Sequence, residues 1–206
     1  MKSCNKFIYV LPVLLCTSLA ACAPKIIPKS DQPGLIDLES NIITREKGGI
    51  KVSIQSEEWR YPPYSLNDYF TPFLLLIRNN TGEKVSVQYG GLVLFDEHGN
   101  QFEAVPAEGV EYMMAARELY GNRYPDIFFR FEETKPPYTY GFEIPSYIRR
   151  PFSNISILAF PETVIYPNSQ VRGFVYFRKA VTYGMNLRLR VELDGFEEEF
   201  EFDIRK

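Results

Sequence analysis

The chain holds little of what a catalytic or metal site is usually made from. Among 206 residues there is a single histidine and only three cysteines. His98 stands between Glu97 and Gly99, where Asp96, Gly99 and Asn100 predict a tight turn. An exposed turn position is expected there rather than a triad member or a metal ligand. No glycine-rich phosphate loop is present, since Gly48-Gly49 and Gly90-Gly91 read as turns. The acidic pairs Glu57-Glu58 and Glu132-Glu133 are adjacent, so on a strand their carboxylates would point to opposite faces. A basic excess is missing too: 23 Lys and Arg face 26 Asp and Glu, a formal charge of −3. That balance excludes the basic stripe of a nucleic-acid binder and electrostatic adhesion to anionic lipid. There is no internal repeat. Catalytic residues, metal and cofactor are all expected to be absent, and the protein is read as not an enzyme.

The N-terminus is more explicit. Lys2 and Lys6 form a short basic region, and no acidic residue precedes Asp31. The run from Phe7 to Cys16 is apolar and is followed by the small residues of Ser18-Leu19-Ala20-Ala21-Cys22-Ala23. This order marks a secretory signal peptide. The apolar stretch falls short of the ~20 residues that a membrane-spanning helix needs.

Leu19-Ala20-Ala21-Cys22 resembles the lipobox of bacterial lipoproteins. The resemblance implies that residues 1–21 are removed and that Cys22 carries a thioether-linked diacylglyceryl group. It also implies a fatty acyl chain such as palmitate on the new amino group. More than one chain is what stable anchoring requires. Small residues before the cysteine suit a narrow protease groove, and a thiolate is the nucleophile that takes the lipid. Ala23, rather than Asp, implies the outer membrane in preference to the inner one. Cys4 and Cys16 leave with the leader, so no intramolecular disulfide is expected. Loss of Lys2 and Lys6 makes the mature chain two charges more negative still. Residues 22–34, with Pro24, Pro28 and Pro33, read as a lipidated, extended tether.

Residues 35–206 are one domain by length, and their patterning is that of short strands. Ile50, Val52 and Ile54 alternate with polar residues. Phe73 to Ile77 is a continuous apolar run bounded by Pro72 and Asn79-Asn80, a central strand covered on both faces. Val85 to Tyr89, Leu92 to Phe95 and Gln101 to Ala104 follow, joined by polar turns into an expected antiparallel meander. Further on, Ile155 to Phe160, Val171 to Phe177, Leu187 to Leu193 and Phe196 to Ile204 read as strands, with Asp194-Gly195 as a hairpin turn. In the last of these, Phe200, Phe202 and Ile204 share one face and Glu199, Glu201 and Asp203 the other. The acidic run Glu197 to Glu199 is expected to be a solvated face that discourages edge pairing. An insertion spans about 106–151. It holds one short helix, Ala107 to Tyr120, with Val110, Met113 and Met114 as its inward stripe, and then aromatic, proline-rich loops from Tyr124 to Tyr147.

Leu75 to Asn79, Leu94 to Phe102 (carrying Asp96-x-x-Gly99) and Tyr166 to Phe177 (carrying Gly173) resemble an immunoglobulin-like β-sandwich family found on bacterial lipoproteins and secreted proteins. The resemblance implies a mainly β, antiparallel sandwich and brings no catalytic residues. Trp59, Tyr61, Tyr64, Tyr69 and Phe70 cluster around Pro62-Pro63 as candidate binding residues. The expected function is that of a non-catalytic, membrane-tethered interaction or structural module in the bacterial cell envelope. Its partners are the membrane, through lipid on Cys22, and an envelope protein or glycan. The alternative is an envelope carbohydrate-binding protein using exposed Trp59, Tyr61, Tyr64 and Tyr69.

Overall fold

The computed structural model describes residues 25–120, 153–179 and 186–205. The expected signal peptide, Cys22 and the aromatic segment from Tyr124 to Tyr147 lie outside the described residues. Among those described, twelve strands run β1 (Lys25–Pro28), β2 (Leu35–Asp37), β3 (Ile42–Lys47), β4 (Ile50–Ser56), β5 (Phe70–Asn79), β6 (Val85–Val87), β7 (Leu92–Phe95), β8 (Gln101–Val105), β9 (Thr163–Ile165), β10 (Ser169–Arg178), β11 (Asn186–Leu193) and β12 (Phe196–Arg205). Helices α1 (Leu66–Tyr69), α2 (Ala107–Tyr120) and α3 (Ser153–Leu158) and a 3-10 turn at Tyr89–Gly91 complete the set.

The protein is mainly β and every strand pairing is antiparallel, as the patterning predicts. Neighbouring strands run β1-β12-β11-β7-β8-β10-β5-β4-β3-β2, with β6 and β9 as a separate pair. β8 belongs to both halves. Its Gln101 to Glu103 pair with β7, and its Ala104 and Val105 pair with β10. The long sheet thus folds over at β8 into two layers, with β1-β12-β11-β7 facing β10-β5-β4-β3-β2. Inward residues at period two fill the space between them: Ile43, Val52, Ile54, Phe73, Leu75 and Phe177 from one layer, Leu94, Leu189, Val191, Phe200 and Phe202 from the other. Gly48 and Gly49, both at positive φ (59° and 82°), make the two-residue loop that joins Lys47 to Ile50. Gly195, at φ 76°, serves the β11–β12 hairpin.

β5 from Phe70 to Leu75 and β10 from Gly173 to Phe177 are buried on both faces. Their second faces, with Leu74, Phe174 and Tyr176, support another apolar cluster made by Trp59, Leu66, Phe70, Val110, Met114 and Ile155. Val110 and Met114 of α2 do face inward as the stripe predicts, and Met113 packs at the margin.

Three expectations are corrected. The residues of the tether are not free chain: Lys25 to Pro28 pair with Arg205 to Phe202 of β12. Prolines are compatible with this, because Pro24 precedes the strand and Pro28 ends it at a sheet edge. The meander reduces to one hairpin, β7–β8. β5 pairs with β4 and β10 instead, and β6 crosses to β9. Ile155 to Phe160 is not a strand: its first four residues belong to α3, whose Ile155 is buried and accepts a 3.0 Å hydrogen bond from the Tyr176 hydroxyl at its carbonyl.

Candidate functional site

Two places bear on function: the root of the N-terminal segment and the aromatic segment before β5.

At the root, the connection from β1 to β2 crosses the edge of the sandwich opposite β8, and a polar clasp holds it. Gln32 acts as a surrogate peptide group. Its Nε2 donates to the Glu201 carbonyl at 2.6 Å, and its Oε1 accepts from the Glu201 amide at 2.8 Å. The same Oε1 accepts from Arg45 Nη2 at 3.1 Å. Arg45 donates in addition to the Pro33 carbonyl (2.9 Å) and to Glu198 (2.9 Å), while its guanidinium lies 4.9 Å over the Phe200 ring. Lys47 reaches the other Glu198 oxygen at 3.0 Å. That ammonium, with Arg45 beside it, holds the Glu198 carboxyl below its ordinary range despite the opposing effect of burial. Lys29 pairs with Glu201 at 2.7 Å, and this bond raises the lysine above its ordinary value.

The acidic run is a solvated face only in part: Glu197 and Glu199 are exposed, and Glu198 is half-buried. Glu198 turns inward with Phe196 and Phe200, and Glu197 and Glu199 bond diagonally to Arg190 and Arg188 of β11. β1 covers β12 only from Phe202 to Arg205, so beside Glu197 to Glu199 the strand has β11 alone as a strand neighbour. The signal for the clasp was a charge at an inward position of both β3 and β12, Arg45 following Ile43 and Glu198 preceding Phe200, which demands a partner. Reading each strand alone misses it.

In the aromatic segment the structure divides the candidates. Trp59 and Phe70 are 2% and 3% exposed, so neither offers a stacking surface. Asn67 pins the backbone of Trp59 by reciprocal bonds, accepting from its amide at 3.1 Å and donating to its carbonyl at 2.9 Å. The indole packs edge-on against Phe174 and Tyr61 (5.2 Å each) and Tyr176 (5.9 Å). These rings rest on the outer face of β10, and burial there is what an amphipathic ring gains most from. Tyr69 is half-buried in the same cluster. Only Tyr61 (44% exposed) and Tyr64 (72%) remain accessible. Asn154 donates to the Pro62 carbonyl at 3.3 Å, which lays α3 beside this loop. Ile157, one helical turn from Asn154 and 73% exposed, adds an apolar side chain to that surface. Burial pushes the Tyr176 phenol upward, and its hydroxyl serves as the donor to α3.

His98 is exposed in the turn between β7 and β8. The organising group there is Asp96, whose Oδ1 accepts from the amides of His98 (2.9 Å) and Asn100 (2.8 Å) while Gly99 takes φ 80°. Asp96-x-x-Gly99 is thus a turn device. Among the described residues no group of acidic, histidine or cysteine side chains is placed to hold a metal ion. No helix among them is long and apolar enough to cross a membrane.

No family model matches the chain, and no curated protein matches it. It is similar to two solved structures. One is the yjhA protein from Bacillus subtilis, at 10% identity and a TM-score of 0.36, covering 70% of this chain and 75% of that one. The other is a functionally unknown protein from Listeria monocytogenes EGD-e, at 10% identity and a TM-score of 0.37, covering 79% and 82%.

Proposed function

We propose that the protein is a lipid-anchored, non-catalytic interaction module of the bacterial cell envelope, with the outer membrane as its preferred address. One observation carries the reading: a basic start, an apolar core of signal-peptide length, and then Leu19-Ala20-Ala21-Cys22. Lys25, three residues past Cys22, is already paired with Arg205 of β12. Lipidation at Cys22 would therefore join the membrane to folded protein with almost no spacer. Tyr61, Tyr64 and Ile157 form the surface offered to a partner, of the composition that protein interfaces favour at their centres.

Crosslinking in intact native cells tests this reading. A dominant protein partner should co-purify with the wild-type chain, fall several-fold with Cys22→Ser, and fall likewise with the double change Tyr61→Ala and Tyr64→Ala. Tyr64 is exposed, so Tyr64→Ala alone should keep wild-type stability within about 0.5 kcal/mol. Tyr61 packs edge-on against Trp59 and its loss should cost about 1 kcal/mol, so each variant's folding is checked by urea unfolding. Recovery of cell-wall or surface-glycan fragments in place of a protein would move the reading to carbohydrate binding at the same two tyrosines. Turnover of a substrate by the purified chain, abolished by one carboxylate change, would overturn the non-catalytic reading.

A further inference from the structure

The lipid-anchor reading and the position of β1 together have a geometric consequence. Cys22 and Lys25 are three residues apart, and an extended chain spans at most about 3.6 Å per residue. The lipidated residue is therefore held within ~11 Å of the point where Lys25 pairs with Arg205. Its root is fastened to the sandwich. β1 is in register with β12 over four residues, Lys29 donates its amide to the Glu201 carbonyl at 3.0 Å, and Gln32 bonds both backbone groups of Glu201.

The strand register then says which end of the sandwich lies beside the leash. β12 ends there and β11 begins there, with Asn186 opposite Asp203. β4 also ends there, since Ser56 donates its hydroxyl to the Ile26 carbonyl and its amide to the Asn41 carbonyl. The turn from β2 to β3, carrying the exposed Leu38, belongs to the same end. The turns at Gly48-Gly49, Thr81 to Glu83 and Asp194-Gly195 are at the other end. β5 and β10, ten residues each, separate the two ends by about 30 Å.

We propose that the end of the sandwich bearing Lys25 and the β2–β3 turn is held against the bilayer surface, and that the end bearing the Gly48-Gly49, Thr81 to Glu83 and Asp194-Gly195 turns is presented away from it. The proposal rests on the lipid-anchor reading and adds an orientation to it. Segment 57–69, with Tyr61 and Tyr64, joins β4 to β5 at the near end, so a partner of those tyrosines would meet them at the membrane surface. The near end mixes Lys25, Arg60, Lys179 and Arg205 with Glu39, Glu57, Glu58, Asp68 and Glu97, so it carries no basic excess. Apposition is thus imposed by the leash rather than by attraction to anionic lipid, and it should be insensitive to salt.

The test uses the lipidated protein from its native envelope in phosphatidylcholine vesicles that carry a headgroup quencher. A fluorophore is attached to a single new thiol at Glu39→Cys or at Gly82→Cys. Both positions are exposed, and a Cβ at Gly82 meets nothing within 4 Å. The Glu39 label should be quenched several-fold more than the Gly82 label, in low and in high salt alike. A flexible Gly/Ser insert of roughly twenty residues between Pro24 and Lys25, with an average reach of about 25 Å, should remove the difference. Equal quenching at the two positions, with the protein still floating with the vesicles, would overturn the orientation and leave the anchor standing. Protein that fails to float would overturn the anchor, and the orientation with it.

Discussion

Gly173→Ala is expected to destabilise the domain by about 3 kcal/mol or more, enough to leave a marginally stable fold largely unfolded at moderate urea. The segment before β9 crosses β10 at this residue. Phe160 donates its amide to the Phe174 carbonyl at 2.8 Å, and Ala159 forms a parallel bridge to Phe174. A Cβ added at Gly173 would lie 2.4 Å from the Phe160 nitrogen and 2.5 Å from the Ala159 carbonyl carbon and oxygen. Those are backbone atoms, which cannot swing aside as a side chain would. Relief requires lifting the crossing segment, which would break the Phe160 bond and uncover the fully buried Phe160 ring. Urea unfolding of the mature chain measures the loss. Gly82→Ala, which enters open space, is the control and should change stability by less than about 0.5 kcal/mol. An equal, small effect at both positions would mean that the crossing is looser than described.

Asn79→Asp is the second large effect, and it carries a pH signature. The Asn79 side chain is fully buried and uses both its donors and its acceptor. Nδ2 donates to the carbonyls of Glu83 (2.7 Å) and Ile165 (3.0 Å), and Oδ1 accepts from the Thr81 amide (2.9 Å) and hydroxyl (2.6 Å). One amide thereby fastens the end of β5 to the following turn and to β9. Aspartate keeps the acceptor but sets an oxygen against two carbonyls. Leaving such groups unpaired costs about 1–3 kcal/mol each. Repulsion and burial raise the carboxyl of the folded variant above its unfolded value, so the variant binds its proton more tightly when folded. Its stability should therefore be highest below about pH 4 and fall as pH rises from there toward the raised folded value. Wild type lacks this carboxyl, so the difference between the two unfolding curves should widen over that range. A pH-independent difference would contradict the buried, donor-dependent role.

How much of this could be read from residues alone follows from the range of the interactions involved. Strands set by alternation or by a local turn were legible. β4, β5, β10, β11 and β12 lie where their apolar periods put them, and the glycines at 48–49 and 195 mark their hairpins. Gly99 and Gly173, found first as pattern residues, have distinct physical reasons, a left-handed turn backbone and a close crossing. Partnering over long separations was not legible. β1 contains two apolar residues between prolines, and what makes it a strand is β12, at the far end of the chain. The apolar run from Ile155 to Phe160 suits a short strand as well as a helix, so length and period could not separate the two.

The candidate site divides the same way. Segment 59–70 was found because aromatics crowd it. Which rings are buried depends on Phe174 and Tyr176 of a strand more than a hundred residues later. Gln32, Arg45 and Glu198 meet only because the two sheets fold over each other, so no spacing in the sequence announces them.

The most direct test of the lipid anchor is the mass of the N-terminal tryptic peptide from protein extracted from its native membranes. Cleavage after Lys25 would release Cys22 to Lys25. The account predicts that this peptide begins at Cys22 and carries a diacylglyceryl group on sulfur, with an acyl chain on its amino group. A chain that still begins at Met1, or one with an unmodified thiol at Cys22, would contradict it.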